Sequence, residues 1–205
     1  MFDLDNPSHL VVRDLYARGA NREVIDLAKS LPAPLPPGVS FYVAAALVSL
    51  EQTALARHYL TESLSAATAE ERGDLVALEG LLASLRGDAE TYLRKAVEAN
   101  GMRASTHTLF HLGMALPGRD ERLRMLQASL IEAEGAGDRY AEARSANALA
   151  SLMTDSGRFA EALSWSRFAL DRATHPGLRL TAQSILPTKR ARTGFWTSSG
   201  VCCGR

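Results

Sequence analysis

Apolar residues recur along this chain at spacings of three and four, and strict alternation is nearly absent, which is the period of amphipathic helices rather than of strands. The periodic stretches predict helix pairs at about 8–18 and 21–31, 39–50 and 52–66, 71–86 and 88–99, 104–116 and 119–134, and 138–156 and 158–173, with a further start at about 177–186. The breaks between them have local causes. PAPLPPG, at residues 32–38, carries prolines that would clash with a continuing helix and predicts a loop between the first two pairs. Turns within the pairs fall near Gly19, Glu51, Gly87, Gly118 and Gly157. Their successive spacings are about 32, 36, 31 and 39 residues, inside the range of helical repeat arrays. A hairpin of that length cannot bury its apolar stripe alone, and stacking on a neighbour supplies the missing partner.

The clearest unit is EARSANALASLMTDSGRFAEALSWSRFALDRA, at residues 142–173. Leu149-Ala150 stands where a tetratricopeptide repeat has its Leu-Gly pair, Gly157 and Phe159 match the turn glycine and following aromatic, and Ala162-Leu163 and Ala169-Leu170 match the small-plus-apolar pairs of the second helix. Ala146 replaces the signature Trp, and Pro176 comes later than the family's proline. Leu112-Gly113 repeats the Leu-Gly pair upstream, Ala56, Leu60, Ser63 and Leu64 fit a second helix, as do Ala96 and Val97, and Val24-Ile25 fits poorly. The chain thus resembles a tetratricopeptide-type protein over residues 8–175. The resemblance implies an all-α fold, a right-handed superhelical array (an α-solenoid) of about five antiparallel helix pairs over residues 1–185. The run EGAGDRYAEA, at residues 134–143, is similar to the longer repeats of LuxR-type and maltose-activator-type bacterial regulators. That similarity implies a sensory or oligomerising part of a bacterial transcription or signal-transduction regulator.

In such arrays the first helix of each pair lines the concave face. Carrying those positions over gives Phe41, Tyr42 and Ala45, then Ala77 and Leu81, then His107, Phe110, His111 and Met114, then Arg144, Asn147 and Ser151. The implied surface is apolar toward the N-terminal half and polar near Arg144. It would suit an extended or helical peptide, with Arg144 and Asn147 bonding its backbone or carboxylate. Two plainer readings stand beside this one: Phe41 and Phe110 packing between hairpins, and Arg144 and Asn147 on a solvated face. The basic clamp that some family members use for a C-terminal carboxylate is not reproduced, because Asp74 and Ala77 occupy the matching positions.

Composition narrows the function without naming it. The chain has 205 residues, 46% hydrophobic and 22% charged, enough for a substantial core. A net charge of +0 argues against an electrostatic nucleic-acid binder. No apolar run approaches the roughly 18 residues of a membrane span, and the start MFDLDNPSHL has no secretory pattern. The expectation is a cytoplasmic protein with no cofactor that binds a protein or peptide, not nucleic acid or membrane, and that is compatible with homo-oligomers. His107 and His111 share a helix face, yet Thr-Leu-Phe between them lacks the metalloprotease glutamate and no third ligand is evident. GxxxxGK[ST], GxSxG and CxxC are absent, and Glu70-Glu71 and Asp120-Glu121 fall at helix starts, where they suit the helix dipole. The chain is therefore expected not to be an enzyme. The competing expectation is a helical small-molecule sensor or enzyme with its pocket in the concave face. An open groove would favour the scaffold, and a closed pocket with both imidazoles inside would favour the sensor.

Residues 186–205, LPTKRARTGFWTSSGVCCGR, depart from the pattern. No acidic residue follows Asp171, and Lys189, Arg190, Arg192 and Arg205 make the end basic. One reading is a basic peptide for membrane or nucleic acid. The other is a break in an array that once continued. Under either, this tail is expected to be disordered or loosely packed through Phe195 and Trp196. The adjacent Cys202 and Cys203 form no disulfide framework or metal knuckle.

Overall fold

Ala- and Leu-rich segments with helix-period stripes and strong end signals fold as read. The computed structural model describes residues 7–186, and among them eleven helices and no strand occur. These are α1 (Pro7–Ala17), α2 (Asn21–Ser30), α3 (Pro37–Ser49), α4 (Thr53–Ala66), α5 (Ala69–Ser84), α6 (Ala89–Met102), α7 (Thr106–Ala115), α8 (Arg119–Ala136), α9 (Arg139–Asp155), α10 (Phe159–Arg172) and α11 (Pro176–Ile185). The protein is all-α over this span, and each helix start and end lies within a turn of its expected place. The expectations for residues 187–205 and for the first six residues lie outside the described residues.

Starts and stops have identifiable causes. Asp88, Ser105 and Asp138 accept hydrogen bonds from the backbone N–H groups of Thr91, Thr108 and Ala141, satisfying donors that the first turn leaves orphaned. Five corners share one stop. The N–H groups of Ala20, Gln52, Asp88, Asp138 and Arg158 donate to the carbonyls of Leu15, Leu47, Ala83, Ala133 and Met153, five residues back. The residue before each donor is left-handed: Gly19, Glu51, Gly87, Gly137 and Gly157. The α7–α8 corner is built differently, with Gly118 at φ −76° after Pro117.

Each helix packs on its neighbour in the chain, and each odd-numbered helix also packs on the next odd one, from α1 on α3 through to α9 on α11. The odd-numbered helices thus share a layer that the even-numbered ones cover. Two larger apolar clusters fill it. One joins α1 to α5 through Val12, Val24, Val39, Val43, Leu47, Leu60 and Leu75. The other joins α8, α9 and α10 through Leu126, Leu130, Leu149, Leu152, Met153 and Ala162. Glu142, buried on α9, is paired with Arg172 of α10 at 2.8 Å. The two ends of the described chain also meet. Thr174 Oγ1 donates to the Ala17 carbonyl at 2.8 Å, Tyr140 Oη donates to Tyr16 Oη at 3.2 Å, and the two tyrosine rings stack edge to face 5.2 Å apart. No helix among the described residues is long and apolar enough to cross a membrane.

Candidate functional site

Between the two apolar clusters the odd-helix layer turns polar at α7. His107, Thr108 and His111 are buried there, with Asp74 of α5, Ser129 of α8 and Ser145 of α9 around them. Most of these groups are satisfied, as buried polar groups must be. Ser129 Oγ donates to the Thr106 carbonyl and meets Ser145 Oγ at 2.9 Å, and Thr108 Oγ1 donates to the Arg103 carbonyl at 2.7 Å. Tyr92 Oη lies 3.1 Å from His111 Nδ1. Arg144, on α9, reaches across to donate to His107 Nδ1 at 3.1 Å while its guanidinium sits 4.0 Å over the Phe110 ring.

His107, His111, Tyr92, Phe110 and Arg144 line a cavity of about 210 Å³. Its walls come from α1 (Tyr16), α3 (Phe41, Ala45, Val48, Ser49), α5 (Leu78, Leu81), α6 (Tyr92), α7 (His107, Phe110, His111, Met114) and α9 (Tyr140, Arg144). Helical spacing explains the α7 contribution: positions 107, 110, 111 and 114 form one stripe. Tyr16 reaches the cavity because α1 closes against the start of α9.

Eight of the twelve expected inner-face residues converge here: Phe41, Ala45, Leu81, His107, Phe110, His111, Met114 and Arg144. The other four do not line it. Ala77 is fully buried and packs with Val76 and Ala99. Tyr42 is buried beside His9, Tyr16 and Phe41 and faces two neighbouring clefts. Asn147 is buried and donates from Nδ2 to the Leu178 carbonyl at 2.9 Å, tying α9 to α11. Ser151 is exposed, further along α9. Leu78, Tyr92, Tyr140 and Tyr16 escaped the sequence reading. Tyr140 lies one turn before Arg144 on the same face and was findable by periodicity. Tyr92 belongs to a second helix, and Tyr16 arrives through the closure, so neither carried a local signal.

The electrostatics of the site are those of a mostly buried set of neutral groups around one cation. Burial pushes His111 down to about 3, and the nearby Arg144 charge adds to the effect. His107 is held well below the usual histidine value by the same two causes, with smaller contributions from His111 and His9. Both rings are therefore neutral at ordinary pH. Arginine can only donate, so His107 Nδ1 accepts and its proton resides on Nε2. Burial raises Tyr92 to about 12 and Tyr140 well above the ordinary phenol value, so both hydroxyls stay protonated. Asp74, in the adjoining cleft, is raised to about 6 by burial, against the lowering effects of its Ser105 hydrogen bond and Arg144. Among the described residues no group of three His, Cys, Asp or Glu side chains is arranged to hold a metal ion.

No protein-family model, curated protein or solved structure matches this chain. Its chemistry has to be argued from the cavity itself.

Proposed function

We propose that this chain is a tetratricopeptide-type solenoid of antiparallel helix pairs that binds a small ligand in the hollow lined by its first helices, as a sensor rather than a catalyst. The repeated left-handed corner and the continuous odd-helix layer support the repeat reading. The observation that carries the functional reading is the convergence of eight expected inner-face residues on one cavity that both imidazoles line. Concave, mostly apolar hollows with a few converging polar groups are the usual form of small-molecule sites. An imidazole near 3 is far from the value a general acid or base needs at neutral pH, and it suits hydrogen bonding better. The run at residues 134–143 supports placing such a sensor beside the effector module of a bacterial regulator.

The test is binding of indole, a neutral ring sized for a hollow of this volume, followed by NMR. Saturable shifts are expected at Phe41, Leu81, Phe110 and Met114. Ala45→Leu, which grows a side chain into the cavity, should abolish them while leaving the melting temperature equal or higher. Shifts scattered over the surface, or binding indifferent to Ala45→Leu, would sink the reading. A second reading keeps the notion of a peptide scaffold, and one observation favours it. Val48, Leu81 and Met114 leave apolar surface at the rim, with Met114 41% exposed. Competition of an N-acetylated, C-amidated Phe-Leu-Leu peptide against indole would support that alternative.

A further inference from the structure

The cavity holds a cation with no anion to match it. Arg144 remains charged at any ordinary pH, and among the described residues no carboxylate forms an ion pair with it. Its bond to His107 uses one of five N–H donors. Nε is buried and has no acceptor. Leaving a charge partly desolvated and its donors unfilled is costly, and proteins retain such groups where a ligand completes them. The stack on Phe110 restrains the guanidinium plane, so the fork is positioned before anything binds.

The rest of the wall sets the remainder of the ligand. Phe41, Ala45, Leu78, Leu81 and Met114 offer only apolar surface. The nearby imidazoles are neutral, so the cavity offers one positive charge and no more. A dianion such as phosphate would bury an uncompensated negative charge. Asp74, the buried acid closest to this arrangement in its electrostatic effect, is already bonded to Ser105 and lines the adjoining cleft rather than this cavity. A volume near 210 Å³ is larger than a hollow that admits benzene and smaller than a drug-sized pocket.

We infer that the ligand is an organic monoanion, a carboxylate on a flat or branched apolar body of about ten non-hydrogen atoms, with its charge on Arg144 and its body against Phe41, Leu78 and Leu81. This rests on the cavity reading above and sharpens it from size to charge.

Isothermal titration of the full chain with phenylacetate, its neutral isostere phenylacetamide and inorganic phosphate tests the inference. Phenylacetate should bind at least tenfold more tightly than phenylacetamide, and phosphate should not compete. Arg144→Gln should bring acid and amide within about twofold of each other, while Arg144→Lys keeps a weaker preference for the acid. Should Arg144→Gln unfold, the wild-type ratio and the lysine variant still decide. Amide binding as tightly as acid, or a preference that survives Arg144→Gln, overturns the assignment of charge and leaves the cavity reading standing. Competition by phosphate overturns the requirement for an apolar body. Binding of neither organic probe overturns the inference, and the cavity reading falls with it only if indole also fails to bind.

Discussion

At the scale of single residues, three buried titratable groups give the fold opposing responses to acid. His107 and His111 are neutral in the folded protein and titrate near their ordinary value once unfolded, so their folded-state values are depressed. The stability they contribute is present above about pH 6.5 and is lost as pH falls toward the folded value. Two such groups amount to about 2.7 kcal/mol per pH unit. Asp74 runs the other way. Its folded value, about 6, lies above the ordinary 3.8, so its contribution is full below 3.8 and lost as pH rises through 6. In the window between, it offsets about 1.4 kcal/mol per unit of the histidine loss. Asp74 lies in a cleft with His9, Arg13, Tyr42, Arg103, His107, Glu132 and Asp138, and Arg144 acts on it from the cavity. Asp74→Asn keeps an acceptor for Ser105 and removes the charge. We expect the variant to be more stable than wild type by up to about 3 kcal/mol at pH 8, with the gain shrinking to nothing by about pH 4. Urea denaturation at three pH values measures this. A gain that does not change with pH would show that ionised Asp74 is not the cause. None of this was legible in the sequence, where Asp74 and Arg144 stand far from Ser105 and His107 and only the folded layer makes them neighbours.

At the scale of elements the sequence was far more readable, because each corner carries its own signal. Four of the five left-handed corners use glycine, and the fifth uses Glu51 at φ 62°. A side chain there strains the backbone by about 1 kcal/mol, partly offset by the entropy that glycine loses on folding. Glu51→Gly should therefore raise stability by about 0.5–1 kcal/mol, measured as a shift in the denaturation midpoint, since Glu51 is exposed and has little packing to lose. Glycines inside helices separate by what surrounds them. A Cβ at Gly113 would lie 2.9 Å from Leu126 Cγ, where α7 presses on α8, whereas at Gly135 it would meet nothing within 4 Å. Gly113→Ala should cost about 1–3 kcal/mol through overpacking, and Gly135→Ala should stabilise α8 by about 0.5–1 kcal/mol through helix propensity. Equal effects in the two variants would mean that the α7–α8 approach is looser than the structure has it. The Leu-Gly pair was visible in the sequence. The reason that its glycine must be glycine lies in Leu126, thirteen residues on.

At the scale of the whole molecule, the meeting of the two ends turns an inner face into a cavity, and no periodicity could foretell it. Each helix packs on its neighbours along the layer, so a contact between α1 and the α10–α11 corner adds a constraint that this stacking does not require. Its strength can be isolated with two glycines in nearly the same backbone conformation. Gly19 has φ 78° and a Cβ there would sit 2.9 Å from Pro176 Cδ; Gly87 has φ 82° and nothing within 4 Å. Alanine at either position incurs the same left-handed strain of about 1–2 kcal/mol. Only at position 19 must it also push the corner carrying Thr174, His175 and Pro176 away from α1. The excess loss in Gly19→Ala over Gly87→Ala therefore measures the closure, and we expect about 1–2 kcal/mol. Separating the ends also strips Tyr16 from the cavity wall, so Gly19→Ala should weaken indole binding while Gly87→Ala leaves it unchanged. If the two variants lose equal stability and bind indole alike, the closing contact contributes nothing, and the hollow between α3, α5, α7 and α9 is an open groove in solution.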